Sequence, residues 1–325
     1  MTRAVVVSSS APPTVADVDL PDPTEGEALV DVTYSSVNYK DGLALARNPG
    51  VARVDPLVPG IDVVGTVSAL GPGVHDVSIG DRIVLNGAGL GETRHGGWAQ
   101  HAVLPSGSLV VLPEAIEDSF AAAIGTAGFT AMLSVLALER FVEPGAGPVL
   151  VTGASGGVGT VAIALLAARG YEVTASTGRS TNEASLRRLG ATEVVDRGAL
   201  SEPGKPMQRA AWDGAVDSVG GATLANVLAG TRWGGAVTAC GLAQDSALPT
   251  TVLPFILRAV SLLGINSVDA PSELRHRAWE RLATDLDPAL LAGVTRTVTP
   301  EQAIEIGAEV VAGRVHGRTV VDVRG

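Results

Sequence analysis

At 325 residues and 46% hydrophobic, the chain is long and apolar enough to bury the cores of about two ordinary domains, which excludes general disorder. The formal net charge is −11 and no run of Lys or Arg interrupts it, which argues against nucleic acid or an anionic bilayer as a partner. Cys240 is the only cysteine, so there is no intramolecular disulfide framework and no zinc site built from several thiolates; a reducing, cytoplasmic setting fits.

The apolar run Ala4–Val7 is too short for the hydrophobic region of a signal peptide, and no segment offers the roughly 20 uninterrupted apolar residues of a membrane span. From there to residue 120 the chain consists of short β-branched runs (AVVV, ALVDVTYSSV, DVVGTVSAL, DRIVL, WAQHAVL, LVVLP) punctuated by Gly, Pro and Asp. That spacing predicts a barrel-like β domain.

Near Ser119 the character changes: AAAIGTAGFTAMLSVLALERF reads as one helix, or two broken near Gly125 and Gly128. Up to residue 261, strand-like and helical runs alternate: PVLVTG, VGTVAIALLAARG, YEVTAST, ASLRRLG, TEVVD, GAVDSVG, ATLANVLAG and GGAVTACG. Alternation of this kind predicts βαβ units around a parallel sheet. LPTTVLPFILR is too apolar for an ordinary linker and is expected at an interface or over a pocket. A helix over SELRHRAWERLATDL and a final strand GRTVVDV follow.

The strongest chemical signal is VLVTGASGGVGTVAIALLAARG, a strand, a glycine-rich turn and a helix. Gly153, Gly156, Gly157 and Gly159, with Ser155 and Val158 between them, let the backbone approach a pyrophosphate at the helix N-terminus. No Lys-Ser/Thr pair follows, which separates this turn from a nucleoside-triphosphate loop. The next strand ends in Thr177-Gly178-Arg179, where an NADH site usually carries an acid; Arg179, with Arg197 after the third strand, suits the 2′-phosphate of NADPH instead.

Taken in order, SSVNYKDGL, VPGIDVVGTVSALGPGV, IGDRIVL, GGWAQHAVLP, GTAGFTAML, VTGASGGVG and GRTVVDV resemble the medium-chain dehydrogenase/reductase superfamily over nearly the whole chain. Within it the chain is similar to the zinc-free quinone oxidoreductase branch and its acryloyl-CoA reductase subgroup, on VNYKDGLA, PGID, TGASGGVG, TGR and LPTTVLPFILR with GINSV. The resemblance implies an α/β chain with a GroES-like, β-rich catalytic domain in two parts (1–120 and 262–325) around a Rossmann domain (121–261). It also implies an active site in the interdomain cleft and a homodimer.

Zinc members of the superfamily carry a Cys and a Gly-His-Glu motif where this chain reads SSVNYKD and PGIDVVG, so no metal is expected. The implied reaction is NADPH-dependent reduction of a short α,β-unsaturated thioester such as acryloyl-CoA. A quinone or enone acceptor, and a non-catalytic NADPH-binding sensor, remain as alternatives.

Hydride addition to a polarised C=C bond leaves negative charge on a carbonyl-derived enolate, which needs a donor. By resemblance Tyr39 faces the nicotinamide; its phenol can donate a hydrogen bond, contact the nicotinamide or simply pack, and Asn38 can orient it. Asp41 is read chiefly as a helix cap; Asp62, at the position where zinc members place their His, can equally hydrogen-bond backbone and fix the turn; His95 can touch substrate but is read, like His75, chiefly as a surface group, and Cys240 as a small apolar residue. Leu242, Ile265 and Ser267 follow strand-like runs and, by resemblance, lie near the nicotinamide half of the cofactor.

Overall fold

The computed structural model describes residues 1–325, and the chain divides into two compact units. The first holds Met1–Phe129, Ser267–Ala283 and Leu291–Gly325; the second holds Thr130–Asn266 and Thr284–Leu290.

In the first unit the long strand Glu27–Ser36 alternates strictly enough to turn Ala28, Val30 and Val32 into the core. It pairs antiparallel with Asp62–Leu70, with His101–Pro105 and with Arg318–Asp322. Asp62–Leu70 in turn pairs with Arg82–Asn86, and Thr295–Val298 joins Arg318–Asp322 in parallel. Val63, Val67, Ile83, Leu85, Trp98 and Val321 complete the core beneath these strands; each such side chain contributes roughly 1.5–3 kcal/mol by leaving water.

The ladder registers bring four strand ends to one corner. Val320 lies opposite Ser36, which closes its strand, and Asp62 lies opposite Asn86, so Arg318, Ser36, Asp62 and Asn86 meet although they are scattered along the chain. A short helix α1, Tyr39–Leu45, leaves this corner after Asn38. It packs on the helix Pro300–Val311, where Gly42 faces the Gly307 carbonyl so closely that no β-carbon fits between them.

Helix α2, Asp118–Leu138, is 21 residues long and passes from the first unit into the second. It is interrupted at Gly125, whose φ of 48° and ψ of −162° are outside the helical region. By length and composition it could cross a bilayer, but 89% of its most apolar stretch is buried inside the protein, as befits a core helix.

The second unit is built on a six-stranded, all-parallel sheet in the order Glu193–Asp196, Val173–Thr177, Val149–Val151, Trp212–Asp217, Thr231–Ala239, Ser261–Gly264. Counted along the chain this is the order 3-2-1-4-5-6, whose direction reverses next to the glycine-turn strand, the position where such sheets bind ligands. Helix α3, Gly157–Ala168, follows that turn, with Val161–Leu166 buried throughout.

Candidate active site

The glycine turn stands between the first strand of the parallel sheet and α3. Gly153 has φ 58°, and a β-carbon there would collide with Ser218 Oγ; one on Gly159 would strike the Gly153 carbonyl. These glycines let turn, helix and neighbouring strand end close on one another. Thr152 Oγ1 donates to Asp217 Oδ1 at 2.6 Å, and Asp217 Oδ2 accepts from the Gly220 N–H at 2.8 Å, which ties the turn to the fourth strand. Gly156 caps α3 without any side-chain hydrogen bond, leaving the first helical N–H groups for an anion.

Ser155 Oγ and Thr177 Oγ1 lie 2.7 Å apart, and the Arg179 N–H donates to Thr177 Oγ1 at 3.2 Å, so the turn and the end of the second strand form one surface. Arg197 lies directly over Gly178, where any β-carbon would strike its guanidinium. Both predicted phosphate cations thus belong to one neighbourhood around Gly178, and no carboxylate occupies residues 177–182. These residues fit a dinucleotide with a 2′-phosphate. In the same unit Leu242 is exposed and the Ile265 N–H donates to the Ala239 carbonyl. Ser267 belongs to the first unit, where its carbonyl accepts from Arg275.

Cys240 Sγ donates to the Asp217 carbonyl at 3.3 Å, and burial together with the Asp217 charge pushes its pKa up to about 12. Both effects disfavour its thiolate form. His95 Nδ1 accepts from the Val58 N–H at 3.2 Å, which leaves its other nitrogen as the protonated one.

The corner of the first unit holds a buried polar network. The Asp62 carboxylate accepts from Ser36 Oγ at 2.5 Å, Asn38 Nδ2 at 2.8 Å, Asn86 Nδ2 at 2.6 Å and both N–H (2.8 Å) and Oγ1 (2.6 Å) of Thr126. The break at Gly125 is what frees the Thr126 N–H to donate, because the residue opens a new helical stretch. Arg318 balances this charge. Its guanidinium donates to the Ala123 carbonyl (2.7 Å), Ser36 Oγ (3.0 Å) and Asn38 Oδ1 (3.3 Å); burial lowers its pKa, and Asp62 and Asp41 oppose that shift.

Asp41 is the third residue of α1 and wholly buried, and its carboxylate accepts from the N–H groups of Asn38 (2.8 Å), Gly60 (3.0 Å) and Ile61 (2.9 Å). Burial first, then the Asp62 charge, push its pKa up to about 7 against these backbone donors. The cap predicted from sequence is therefore a capping box that also anchors the Gly60 turn. Asn38 is 8% exposed with its amide turned inward, whereas Tyr39 beside it is 42% exposed.

Ser36, Asn86, Thr126 and Arg318 are absent from the residues singled out by sequence. Only an arginine at the head of the apolar run GRTVVDV hints at Arg318, since a cation there needs a buried partner. No three His, Cys, Asp or Glu side chains converge in an arrangement able to hold a metal. Asp62 does not fit a zinc ion, because its oxygens face hydrogen-bond donors on every side.

Residues 24–114 match the alcohol dehydrogenase GroES-like domain and residues 157–284 the zinc-binding dehydrogenase domain. The acrylyl-CoA reductase AcuI of Ruegeria pomeroyi is 49% identical over 95% of this chain and 94% of its own length. The probable acrylyl-CoA reductase AcuI of Escherichia coli is 44% identical over 92% of each, and the putative quinone oxidoreductase YhfP of Bacillus subtilis 42% over 95% and 93%. The yhdH oxidoreductase of Salmonella enterica, solved with NADP, superimposes with a TM-score of 0.92 at 41% identity over 99% of both chains. With these relatives matched almost end to end, the chain belongs to the medium-chain dehydrogenase/reductase superfamily and to its zinc-free, quinone oxidoreductase-like branch.

Proposed function

We propose that this chain reduces the C=C bond of a short α,β-unsaturated thioester such as acryloyl-CoA, using NADPH. The observation that carries the reading is the exposed Tyr39 phenol at the start of a rigidly anchored helix, in a unit without a metal-holding cluster. The identity to the Ruegeria and Escherichia acrylyl-CoA reductases supports the thioester as acceptor.

NADPH, when bound, supplies the hydride. Gly153, Gly156, Gly157 and Gly159, with Ser155 and Val158, would hold its pyrophosphate on the α3 N-terminus, and Thr177, Gly178, Arg179 and Arg197 its adenosine phosphate. Leu242, Ile265 and Ser267 would flank the nicotinamide. Tyr39 would donate a hydrogen bond to the thioester oxygen as negative charge develops there, and Asn38 would fix the phenol.

An NADPH-consumption assay against acryloyl-CoA, quinones and enones, run with and without a chelator, tests this reading. Turnover should be fastest with acryloyl-CoA and unchanged by the chelator. Preference for a quinone would favour the activity named for the Bacillus relative, chelator-sensitive turnover would restore a metal, and no turnover with any acceptor would favour a sensor.

Arg179→Ala should weaken NADPH by about 1.5–3 kcal/mol while sparing NADH, because a charged hydrogen bond to the 2′-phosphate is lost. Equal weakening of both cofactors in titration calorimetry would remove that contact from the account.

We also place this protein in the cytoplasm as a homodimer. The strand Ser261–Gly264 is an edge of the parallel sheet, and Val252, Ile256 and Leu257 on the neighbouring helical segment are each more than half exposed. An unpaired edge beside an apolar patch fits a second copy. Light scattering should report twice the chain mass, and Ile256→Asp should halve it; a monomer in both cases would dismiss the dimer.

A further inference from the structure

Every polar side-chain atom of Ser36, Asn38, Asp62 and Asn86 is satisfied within the corner network, and the Arg318 guanidinium is turned into it. Asn38 Nδ2 donates to Asp62 while Asn38 Oδ1 accepts from Arg318, so anion and cation together dictate which way the amide faces. The Asn38 N–H is held separately by Asp41, and the opposite face of α1 is pressed onto Gly307. The next residue, Tyr39, is the first of the helix and the first whose side chain leaves the buried corner for solvent.

Stability alone explains this arrangement poorly. A buried carboxylate and a buried guanidinium bridged by an amide and a hydroxyl are commonly matched or surpassed by well-packed apolar residues, whereas two charges that clamp one residue between them give a fixed geometry. The clamped residue is Asn38, and the torsions of Asn38 aim the Cα–Cβ bond of Tyr39.

We propose that Asp62 and Arg318 are positioning residues for Tyr39, acting on the reaction through the Asn38 amide. The proposal rests on Tyr39 being the hydrogen-bond donor to substrate. Asp62 and Arg318 are both nearly inaccessible and touch no substrate themselves. They hold the helix start so that the phenol occupies a narrow range of positions, which matters because misplacement by about 1 Å can cost a hundredfold in rate.

Double-mutant cycles on the full chain test it, with NADPH and the best acceptor of the panel. Asn38→Ala cuts the link and leaves Asp62 its other donors; Arg318→Lys keeps the charge and loses the fork that reaches Asn38 and Ser36. In the parent, each should lower kcat by about tenfold or more with KM for both substrates held within about twofold. In the Tyr39→Phe background, where there is no phenol to position, each should change kcat by less than about twofold.

The same loss in both backgrounds would reduce the network to a structural support and overturn the proposal. So would unchanged kcat for Asn38→Ala and Arg318→Lys in a parent that depends on Tyr39. If Tyr39→Phe alone is silent, the donor role of Tyr39 fails first and the proposal falls with it, an outcome separable from the other two by that single variant.

Discussion

Tyr39→Phe should lower kcat by about 10²–10⁴-fold while leaving the fold intact. The substitution keeps the ring and removes only the hydroxyl of a residue that is 42% exposed and contributes no hydrogen bond to the buried network, so the change in unfolding free energy should stay within about 0.5 kcal/mol. The size of the rate effect follows from where the charge appears. A ground-state thioester carbonyl carries little negative charge and an enolate carries much, so a phenol at that oxygen binds the transition state better than the substrate. Steady-state kinetics therefore distinguishes the possible roles. A fall in kcat at saturating NADPH marks the substrate-side donor; a raised NADPH dissociation constant with kcat preserved marks a contact to the cofactor. Unchanged values of both would leave the proton to solvent and the protein's contribution to hydride positioning.

The second large effect is on stability. Gly125→Ala should cost about 3 kcal/mol or more, read as a lower urea midpoint, because two independent penalties fall on one residue. Its φ of 48° with ψ of −162° is a conformation that residues with a β-carbon strongly resist. A β-carbon would also stand 2.6 Å from both Arg318 Nη2 and Asp62 Oδ2, and 2.9 Å from Ser36 Oγ. None of those atoms can retreat without breaking a buried hydrogen bond. Gly107→Ala is the control, since its β-carbon would meet open space, and its effect should be under about 1 kcal/mol. Similar midpoints for the two variants would show that the corner can relax around an added methyl group.

What could be read from the sequence, and what could not, divides along sequence separation. The glycine turn, the strand before it and α3 after it are contiguous, so pattern and turn chemistry suffice to recognise them. The break in α2 was also visible as a glycine within an apolar helical run, although only the structure selects Gly125 over Gly128. The helix Pro300–Val311 carries an unused signal: Thr299 and Gln302 form a capping box with Pro at the first helical position. Arg318 was beyond reach for a different reason. Its partners Asn38 and Ser36 lie 280 and 282 residues away, and only the pairing register of a strand from each end of the chain makes them neighbours. For Asp62 the sequence suggests a carboxylate that bonds backbone and fixes a turn; it does accept the Thr126 N–H, along with four side-chain donors, while the turn at Gly60 is held by Asp41.

The inward-facing donors around Asp62 also constrain how this lineage can change. A histidine introduced at that position would meet the hydroxyl of Ser36, the amides of Asn38 and Asn86 and the free end of a helix, a cradle shaped for an anion and already balanced by Arg318. Any single replacement that removes the carboxylate would strand the Arg318 charge and several unsatisfied donors, each buried unsatisfied group costing about 1–3 kcal/mol. With ordinary domains stable by only about 5–15 kcal/mol, such variants are purged by selection. The corner thus behaves as a mutually dependent set: exchanging one member alone leaves a buried charge or donor without its partner, so its residues can change only together.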